Sequence, residues 1–204
     1  MTRIFLVRHG QTAWNVVERF RGHVDIPLDE VGRVQAENVA ERLAGEPNIA
    51  AVYSSPLGRT LDTARPTAVR LGLAVQPVPA IGDINFGDWQ GLTPAEVAAR
   101  YPDLYRRWLL APHTVQFPGG ESLAMVQARA FGAFNELANL HDGSAFVVVT
   151  HKVPCRVLIS AALGLDNAHY WQIEQDNGAI NVIDFADGLF VIQRLNDTSH
   201  LGGG

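Results

Sequence analysis

The sequence predicts an α/β fold, a three-layer α/β/α sandwich around a mostly parallel mixed sheet. Strand-like apolar runs alternate with helical patterns along most of the chain, and this alternation is typical of parallel strands covered by helices. Near the end, two strand patterns flank Ala186-Asp187-Gly188, which predicts an antiparallel hairpin. No linker or internal repeat interrupts the 204 residues. We therefore expect a single domain over residues 1–204.

The individual elements follow from the spacing of apolar residues and from turn signals. Strand patterns, which are short runs rich in branched and aromatic residues, cover residues 4–7, 50–53, 73–78, 145–149, 179–185 and 189–195. Helical patterns cover residues 31–44, 56–71, 93–111, 123–140 and 154–163. Asp29 is a suitable N-cap for the first helix, and Thr93-Pro94-Ala95-Glu96 forms a capping box for the third. We expect Pro66 to cause an irregularity in the second helix.

Composition and charge narrow the classes of partner. The formal net charge of -5 and the pI near 5.8 argue against broad binding to nucleic acid or to an acidic membrane surface. The chain has no apolar run long enough for a transmembrane helix, and no signal-peptide pattern is evident. The single cysteine, Cys155, excludes an internal disulfide and fits a reducing, cytoplasmic location. Without a His-Glu-x-x-His motif, we expect no metal site.

Four predicted strands are each followed by ionisable residues. Arg8 and His9 follow the first strand, and His151 follows the fourth. Arg59 and Asp83 lie beyond the second and the third. Because ligands bind at the carboxyl ends of strands in open α/β sheets, we expect these side chains to meet at one edge. Two arginines and two imidazoles there suit an anion, and a phosphate fits best.

Several motifs accompany these residues in a fixed order along the chain. They are Arg8-His9-Gly10, Asn15, Ser54-Ser55-Pro56-Leu57-x-Arg59, Thr63-Ala64, Phe86-Gly87-x-Trp89-x-Gly91, Gly119-Gly120-Glu121-Ser122 and Thr150-His151. Together they resemble the histidine phosphatase superfamily, in its phosphoglycerate mutase-like branch, over nearly the whole chain. The resemblance implies phosphoryl transfer through a phosphohistidine, without a metal or any other cofactor.

The resemblance also implies a role for each matching residue. His9 is the nucleophile that attacks phosphorus. Asp83 protonates the leaving alkoxide and then takes a proton from the attacking water. Arg8 and Arg59 hold the non-bridging oxygens, and a protonated His151 supplies further positive charge.

Further phosphate-binding candidates lie around this core. Asn15 donates from its side-chain amide. Arg21-Gly22 stands where the family often has Gln-Gly, and Lys152 stands where it often has Gly. Arg21 either enlarges the anion site or is a solvated charge, and Lys152 faces either substrate or solvent.

The predicted acid departs from the family pattern. Most family members carry Glu where this chain has Asp83, and Asp is one methylene shorter. The resemblance therefore leaves open whether the Asp83 carboxyl group reaches the leaving oxygen. Glu121 is the fallback acid, although its role in the family is structural.

Two features favour hydrolysis of a small phosphorylated metabolite. Family mutases carry a longer insertion where this chain has only the short segment between Gly91 and Gly119. Residues 151–156, 176–178 and 195–202 are similar to the metal-independent phosphoserine phosphatases, in which the C-terminal segment folds over the active site. The tail from about 196 to 204 then covers the site and His200 contacts substrate, unless this tail is disordered.

Other functions stay open. Phe86 stands where that branch can carry His, so a smaller, more apolar phosphomonoester or a broad specificity fits equally. A 2,3-bisphosphoglycerate-dependent phosphoglycerate mutase is the alternative enzyme. A non-catalytic phosphate-binding module is an alternative of another class, although His9 argues against it because a binder needs no nucleophile.

A homodimer through an edge strand or through the helix near 156–163 is also open. Four histidines without partner spacing are expected at the surface: His23, His113, His141 and His169.

Overall fold

Six strands form one mixed sheet in the computed structural model, which describes residues 1–202. They are β1 (Thr2–Arg8), β2 (Ile49–Ser54), β3 (Val75–Pro77), β4 (Ala145–Thr150), β5 (Ile180–Ala186) and β6 (Leu189–Asp197). The strand order is β3-β2-β4-β1-β5-β6. The first four strands are parallel, whereas β5 pairs antiparallel with β1 and β6 pairs antiparallel with β5. The mostly parallel mixed sheet and the closing hairpin are therefore confirmed.

Helices cover both faces of this sheet. They are α1 (Ala13–Val16), α2 (Glu30–Ala44), α3 (Gly58–Leu71), α4 (Pro94–Arg100), α5 (Pro102–Leu110), α6 (Leu123–Leu140) and α7 (Lys152–Ala162). The pair α2 and α3 packs on one face, and the pair α6 and α7 packs on the other. This arrangement gives the predicted three layers. Within residues 1–202, no helix has the length and apolar character needed to cross a membrane.

The two central strands, β1 and β4, are buried on both faces. Ile4 and Leu6 face the layer of α6 and α7, whereas Phe5 and Val7 face the layer of α2 and α3. Strands covered on both faces need near-continuous apolar runs, and the sequence of β1 and β4 has them. This packing fixes the ends of the two strands, where Arg8 and Thr150 are register partners.

A third apolar cluster lies beside the carboxyl ends of the central strands. It is built from the loop that follows β3 and from the α4–α5 segment. The ring of Phe117 lies 4.9 Å from both Phe86 and Trp89, and 5.2 Å from Trp108, measured between centroids. Trp89 is fully buried, so it is a core residue of this cluster.

Several helices differ from the sequence prediction. The pattern over 93–111 forms two helices, α4 and α5, that meet at Tyr101, and α3 begins at Gly58 rather than at residue 56. α7 begins at Lys152 rather than at residue 154, because His151 takes the extended N-cap conformation and Pro154 is tolerated in a first turn. α3 continues through Pro66 without a break. Its buried residues lie on both sides of the proline, so packing against the sheet outweighs the one lost backbone hydrogen bond.

Candidate active site

The register of the sheet brings the two histidines together. The strands β1 and β4 are parallel neighbours, and the backbone N–H of His9 donates to the carbonyl of Thr150 at 2.9 Å. The rings of His9 and His151 therefore lie side by side, with centroids 5.2 Å apart and planes at 63°. Both side chains are fully buried. The predicted meeting of the two strand ends is present in the structure.

His9 has the tautomer that a nucleophile needs. Its Nδ1 lies 2.6 Å from the carbonyl oxygen of Gly10, and because a carbonyl only accepts, Nδ1 carries the hydrogen. The lone pair is then on Nε2, which is buried and has no hydrogen-bond partner within residues 1–202. Burial, followed by the charges of Arg59 and Arg8, lowers the pKa of His9 well below its ordinary value. The ring is neutral at physiological pH.

The turn after His9 is held by close backbone packing. A Cβ on Gly10 would overlap the backbone of Gly32, so a residue with a side chain would push α2 away. The N–H of Gly10 donates to Thr63 Oγ1 at 3.0 Å. Asn177 Nδ2 donates to the carbonyl of His9 at 3.0 Å. Contacts from α2, from α3 and from the segment before β5 thus fix the orientation of the nucleophile.

His151 is neutral as well. Arg59 Nε donates to His151 Nδ1 at 3.2 Å, so the ring hydrogen is on Nε2, which lies 2.8 Å from Ser55 Oγ. Burial, and then the charge of Arg59, lowers the pKa of His151 well below its ordinary value. The expectation of a protonated His151 is therefore wrong for this arrangement, because a buried imidazole beside an arginine resists a second proton.

Arg59 joins the parts of the site through its guanidinium. Besides the bond to His151, Nη1 donates to the carbonyl of Val24 at 2.9 Å, and Nη2 donates to the carbonyl of Gly22 at 2.8 Å. Nη2 also donates to Asp83 Oδ2 at 3.1 Å. Every nitrogen of this fully buried side chain has a protein acceptor. Arg59 thus ties α3 to the 22–24 loop, to the predicted acid and to the second histidine.

Asp83 faces the same space from the opposite side. Its Oδ1 accepts from the N–H of Ile84 at 2.9 Å, and its Oδ2 lies 3.7 Å from His151 Nδ1. The side chain is only 4% exposed and lines the cavity beside Arg8. The structure thus brings the predicted acid to the edge that carries both histidines.

A clamp from α6 holds the loop that carries Asp83. Arg129 donates through Nη1 to the carbonyls of Ala80 and Gly82 at 2.7 and 2.8 Å, and through Nη2 to the carbonyl of Asp83 at 2.8 Å. Its other N–H groups donate to the carboxylate of Glu121 at 2.7 and 2.9 Å. Glu121 is thus engaged in an ion pair that fixes the loop, which is the structural role that the resemblance implied.

A cavity of about 460 Å³ opens beside these groups. One part of its wall is aromatic, formed by Phe20, Phe86, Tyr105, Trp108, Tyr170 and Trp171. The other part is cationic and polar, formed by Arg8, Asn15, Arg21, Lys152, Arg156 and Asn177 together with Asp83. A cavity of this kind suits a small organic molecule that carries an anionic group.

Arg8 and Arg21 both turn toward this cavity. Arg8 Nη1 donates to the carbonyl of Gln175 at 2.5 Å, and its Nε is buried without a partner within residues 1–202. Burial, followed by the charge of Arg21, lowers the pKa of Arg8 to about 10, so the side chain is still a cation at neutral pH. Arg21 Nε is likewise buried and unpartnered, and burial lowers the pKa of Arg21. Arg21 therefore lies in the cavity wall rather than in solvent.

Of the other phosphate-binding candidates, Asn15 and Lys152 line the cavity, whereas Gly22 is not among its lining residues. Asn15 Oδ1 accepts from the N–H and the hydroxyl of Thr12 at 2.9 and 2.8 Å, which leaves its amide Nδ2 as the free end. Lys152 Nζ lies 3.4 Å from Glu174 Oε2. Gly22 has a φ of +54° and contributes its carbonyl to Arg59. Asn15 and Lys152 thus present donors to the cavity, whereas Gly22 acts through its carbonyl, which holds Arg59.

Comparison with known proteins agrees with this geometry. The family model described as histidine phosphatase superfamily (branch 1) matches residues 4–198. The chain belongs to the histidine phosphatase superfamily. It is similar to phosphoserine phosphatase 1 of Hydrogenobacter thermophilus, with 41% identity over 202 residues that cover 99% of this chain and 95% of that protein.

Two further similarities concern the same activity. The metal-independent phosphoserine phosphatase of Arabidopsis thaliana is 35% identical, over 98% of this chain and 84% of that protein. The structure of a mutant phosphoserine phosphatase from Entamoeba histolytica in complex with phosphoserine has a TM-score of 0.89. It is 28% identical and covers 98% of this chain and 100% of that chain. This histidine phosphatase is a phosphomonoester hydrolase of the phosphoglycerate mutase-like fold.

The C-terminal segment of the histidine phosphatase lies beside the cavity rather than across it. His200 Nε2 is 3.1 Å from the carbonyl of Gly178, and Leu201 contacts Gly178. His200 is not among the residues that line the cavity. The segment therefore braces the loop that contains Asn177, and residues 203–204 of the predicted tail lie outside the described residues.

Sequence reasoning missed four residues that shape the site of this histidine phosphatase. Ser55 and Asn177 were noticed only as parts of motifs, yet they orient His151 and the turn after His9. Arg156 likewise stood only within the motif of residues 151–156, and Arg129 carried no local signal except its charge on a helix with an apolar face. A buried arginine in a helix that contacts the core needs an acceptor, and this requirement was the available clue.

Two of the remaining histidines make contacts that the sequence did not predict, and one of them, His141, departs from the surface expectation. His141 is half-buried, and its Nε2 lies 2.9 Å from the hydroxyl oxygen of Tyr53. His23 is exposed, but its Nε2 donates to the carbonyl of Asp83 at 3.0 Å. His23 therefore joins Arg129 in holding the backbone of the predicted acid.

Proposed function

We propose that this histidine phosphatase hydrolyses a small phosphomonoester through a phosphohistidine on His9, with phosphoserine as the first candidate substrate. One observation carries the proposal. His9 is a neutral imidazole whose Nε2 is unpartnered, held in place through Nδ1, and placed beside the buried cation Arg8. A phosphoryl group needs an in-line nucleophile and charge neutralisation, and this arrangement supplies both.

In the proposed first step, His9 Nε2 attacks phosphorus and an N–P bond forms. The P–O bond to the alcohol breaks, and its electron pair leaves with the oxygen. Asp83, in its protonated form, gives its proton to that oxygen, so the alcohol departs neutral. Arg8, Arg21 and Asn15 donate to the non-bridging oxygens, where charge concentrates in the transition state.

In the proposed second step, water attacks the phosphohistidine from the side that the alcohol has left. The carboxylate of Asp83 takes a proton from the water, an O–P bond forms, and the N–P bond breaks. Inorganic phosphate leaves and His9 is neutral again. Arg59 contacts both Asp83 and His151, so we propose that it keeps the acid and the second imidazole aligned through both steps while adding positive charge next to the phosphate.

The relatives guide the choice of substrate. Two proteins similar to this chain are named phosphoserine phosphatases, and a third was solved with phosphoserine. The cationic part of the cavity supports an acidic substrate, whereas the aromatic part, including Phe86, supports a broader set of phosphomonoesters. A phosphoglycerate mutase is the runner-up, and it differs because it returns the phosphoryl group to an organic acceptor instead of water.

Turnover of matched phosphomonoesters in the presence of EDTA tests the proposal. The panel contains phosphoserine, 3-phosphoglycerate and p-nitrophenyl phosphate, with wild type beside His9→Ala and the exposed-site control His113→Ala. We expect phosphate release that survives EDTA, is retained in His113→Ala, and falls at least about 1,000-fold in His9→Ala. Isomerisation of 3-phosphoglycerate without phosphate release would instead identify a mutase. Phosphate binding without turnover of any substrate would identify a binding module.

We also propose that the enzyme works in the cytoplasm as a homodimer and acts on a free metabolite, without nucleic acid or membrane partners. The negative net charge and the buried single cysteine are consistent with this setting. Light scattering over a concentration series would measure the oligomeric state, and a monomer at every concentration would refute the dimer.

A further inference from the structure

A buried arginine outside the proposed reaction centre lacks acceptors. Arg156 is on α7, four residues after Lys152, so the two side chains are neighbours on one helix face. It lines the cavity and is 1% exposed. Nη2 donates to Glu174 Oε2 at 3.0 Å, but Nε and Nη1 are buried and have no partner within residues 1–202. Leaving charged donors buried without acceptors is costly.

Aromatic rings hold this guanidinium in place. Its central carbon lies 4.8 Å from the ring centroid of Tyr170 and 5.2 Å from that of Trp171. Trp171 is itself fixed, because its Nε1 donates to the carbonyl of Trp108 at 2.9 Å. Arginine stacks favourably on aromatic faces. Arg156 is therefore a rigid cation whose free donors are ordered in advance.

Arg156 is linked directly to the phosphate end of the cavity. The dipeptide Glu174-Gln175 accepts from Arg156 through the Glu174 carboxylate and from Arg8 through the Gln175 carbonyl. Arg8 and Arg156 thus contact adjacent residues of one segment and line the same cavity. Two cationic side chains in the wall of one cavity fit one small molecule that carries two anionic groups.

The local charge balance indicates which second group fits. Glu174 pairs with both Lys152 at 3.4 Å and Arg156 at 3.0 Å. Two cations and one carboxylate leave a net charge of one positive unit. A monoanion such as a carboxylate neutralises this charge, whereas a second phosphate dianion would exceed it.

We propose that Arg156 is a specificity residue that binds a carboxylate on the alcohol part of the substrate. The substrates are then phosphomonoesters of small hydroxy acids, with phosphate at His9 and Arg8 and the carboxylate at Arg156. The inference rests on the proposed function and narrows it. Phosphoserine belongs to this class, and phosphoethanolamine, which has the same ammonium group but no carboxylate, does not.

The matched pair of substrates gives the first measurement, which needs no variant. Wild type is expected to have a kcat/KM for phosphoserine that exceeds that for phosphoethanolamine by about 10- to 100-fold, the effect of one hydrogen bond to a charged group. Arg156→Gln should reduce this ratio to within about threefold of unity. Equal kcat/KM values for the two substrates in wild type would overturn the proposal, even if Arg156→Gln does not fold.

The variant Glu174→Gln tests whether Arg156 recognises the substrate or only has a structural role. Removing the carboxylate that shares Arg156 leaves more positive charge for the substrate, so the phosphoserine to phosphoethanolamine ratio should rise above the wild-type value. If Arg156 served only to anchor Glu174, both variants would lower turnover of the two substrates equally, and that result would refute the proposal. Failure of the proposed function looks different, because then neither substrate is hydrolysed and His9→Ala changes nothing.

Discussion

The two halves of the active site are positioned in different ways. The nucleophile half, His9 with Arg8 and His151, lies at the ends of β1 and β4, where strand register and backbone bonds fix it. The acid half, centred on Asp83, lies on an irregular loop that side chains from other elements hold in place. The backbone of the nucleophile half is therefore set by the sheet, whereas the loop of the acid half is held mainly by side chains, above all by Arg59 and Arg129. Substitutions in the two halves should have different consequences for the reaction.

In the acid half, the largest loss of phosphatase activity is expected from Asp83→Asn. An amide can still accept from Arg59 but cannot supply a proton, so turnover of phosphoserine, whose alkoxide leaves poorly, should fall roughly 100- to 10,000-fold. p-Nitrophenyl phosphate needs little protonation of its leaving group and should lose much less activity. Steady-state kinetics with both substrates measure this split. Asp88→Asn is the control, because Asp88 is an exposed carboxylate near the same loop and should keep wild-type rates. An equal loss on both substrates would show that Asp83 is not the acid.

A smaller effect of the same kind is expected when the clamp on the Asp83 loop is removed. Arg129→Leu deletes the bonds to the carbonyls of Ala80, Gly82 and Asp83, so the short Asp83 side chain loses its alignment. We expect phosphoserine turnover to fall roughly 10- to 100-fold, the range for an acid displaced by about 1 Å, with a smaller loss on p-nitrophenyl phosphate. Arg129→Lys should recover part of the lost activity.

A purely structural role for Arg129 predicts a different pattern. Turnover of both substrates would then fall in parallel with the amount of folded protein, measured by circular dichroism. That pattern would contradict a positioning role for Arg129, and it would remove the contrast between the two halves of the site.

The same contrast explains how much the sequence alone could predict. The meeting of His9 and His151 was predictable because parallel strands place their carboxyl ends at one edge. The bonding of Arg59 was not, because its acceptors include the carbonyls of Gly22 and Val24, and a loop backbone leaves no residue pattern. The positive charge assigned to His151 failed for a related reason. Burial and an adjacent arginine determine its pKa, and neither can be read from the dipeptide Thr150-His151.

The smallest expected difference between the two halves of the active site lies in the pH dependence of the free energy of unfolding. His9 and His151 in the nucleophile half have pKa values well below the ordinary value, whereas histidines in an unfolded chain titrate near about 6.5. Below this pH, His9 and His151 bind protons in the unfolded chain but stay unprotonated in the native state. The stability contributed by the neutral rings is complete above about pH 6.5 and falls below it, by up to about 1.4 kcal/mol per histidine per pH unit.

In the acid half, the clamp partner Glu121 responds in a lower pH window. Burial alone would raise its pKa, but hydrogen bonds from Arg129 and from the backbone of Asn85 lower it overall. Its contribution to stability is therefore complete above about pH 4.5 and is lost only as the pH falls further. Urea unfolding between pH 7 and about pH 3 should show both windows. His9→Asn and His151→Asn should each make the slope below pH 6.5 shallower, whereas Glu121→Gln should alter only the slope below about pH 4.5. If the histidine variants kept the wild-type slope, the conclusion that His9 and His151 are neutral in the folded protein would be refuted.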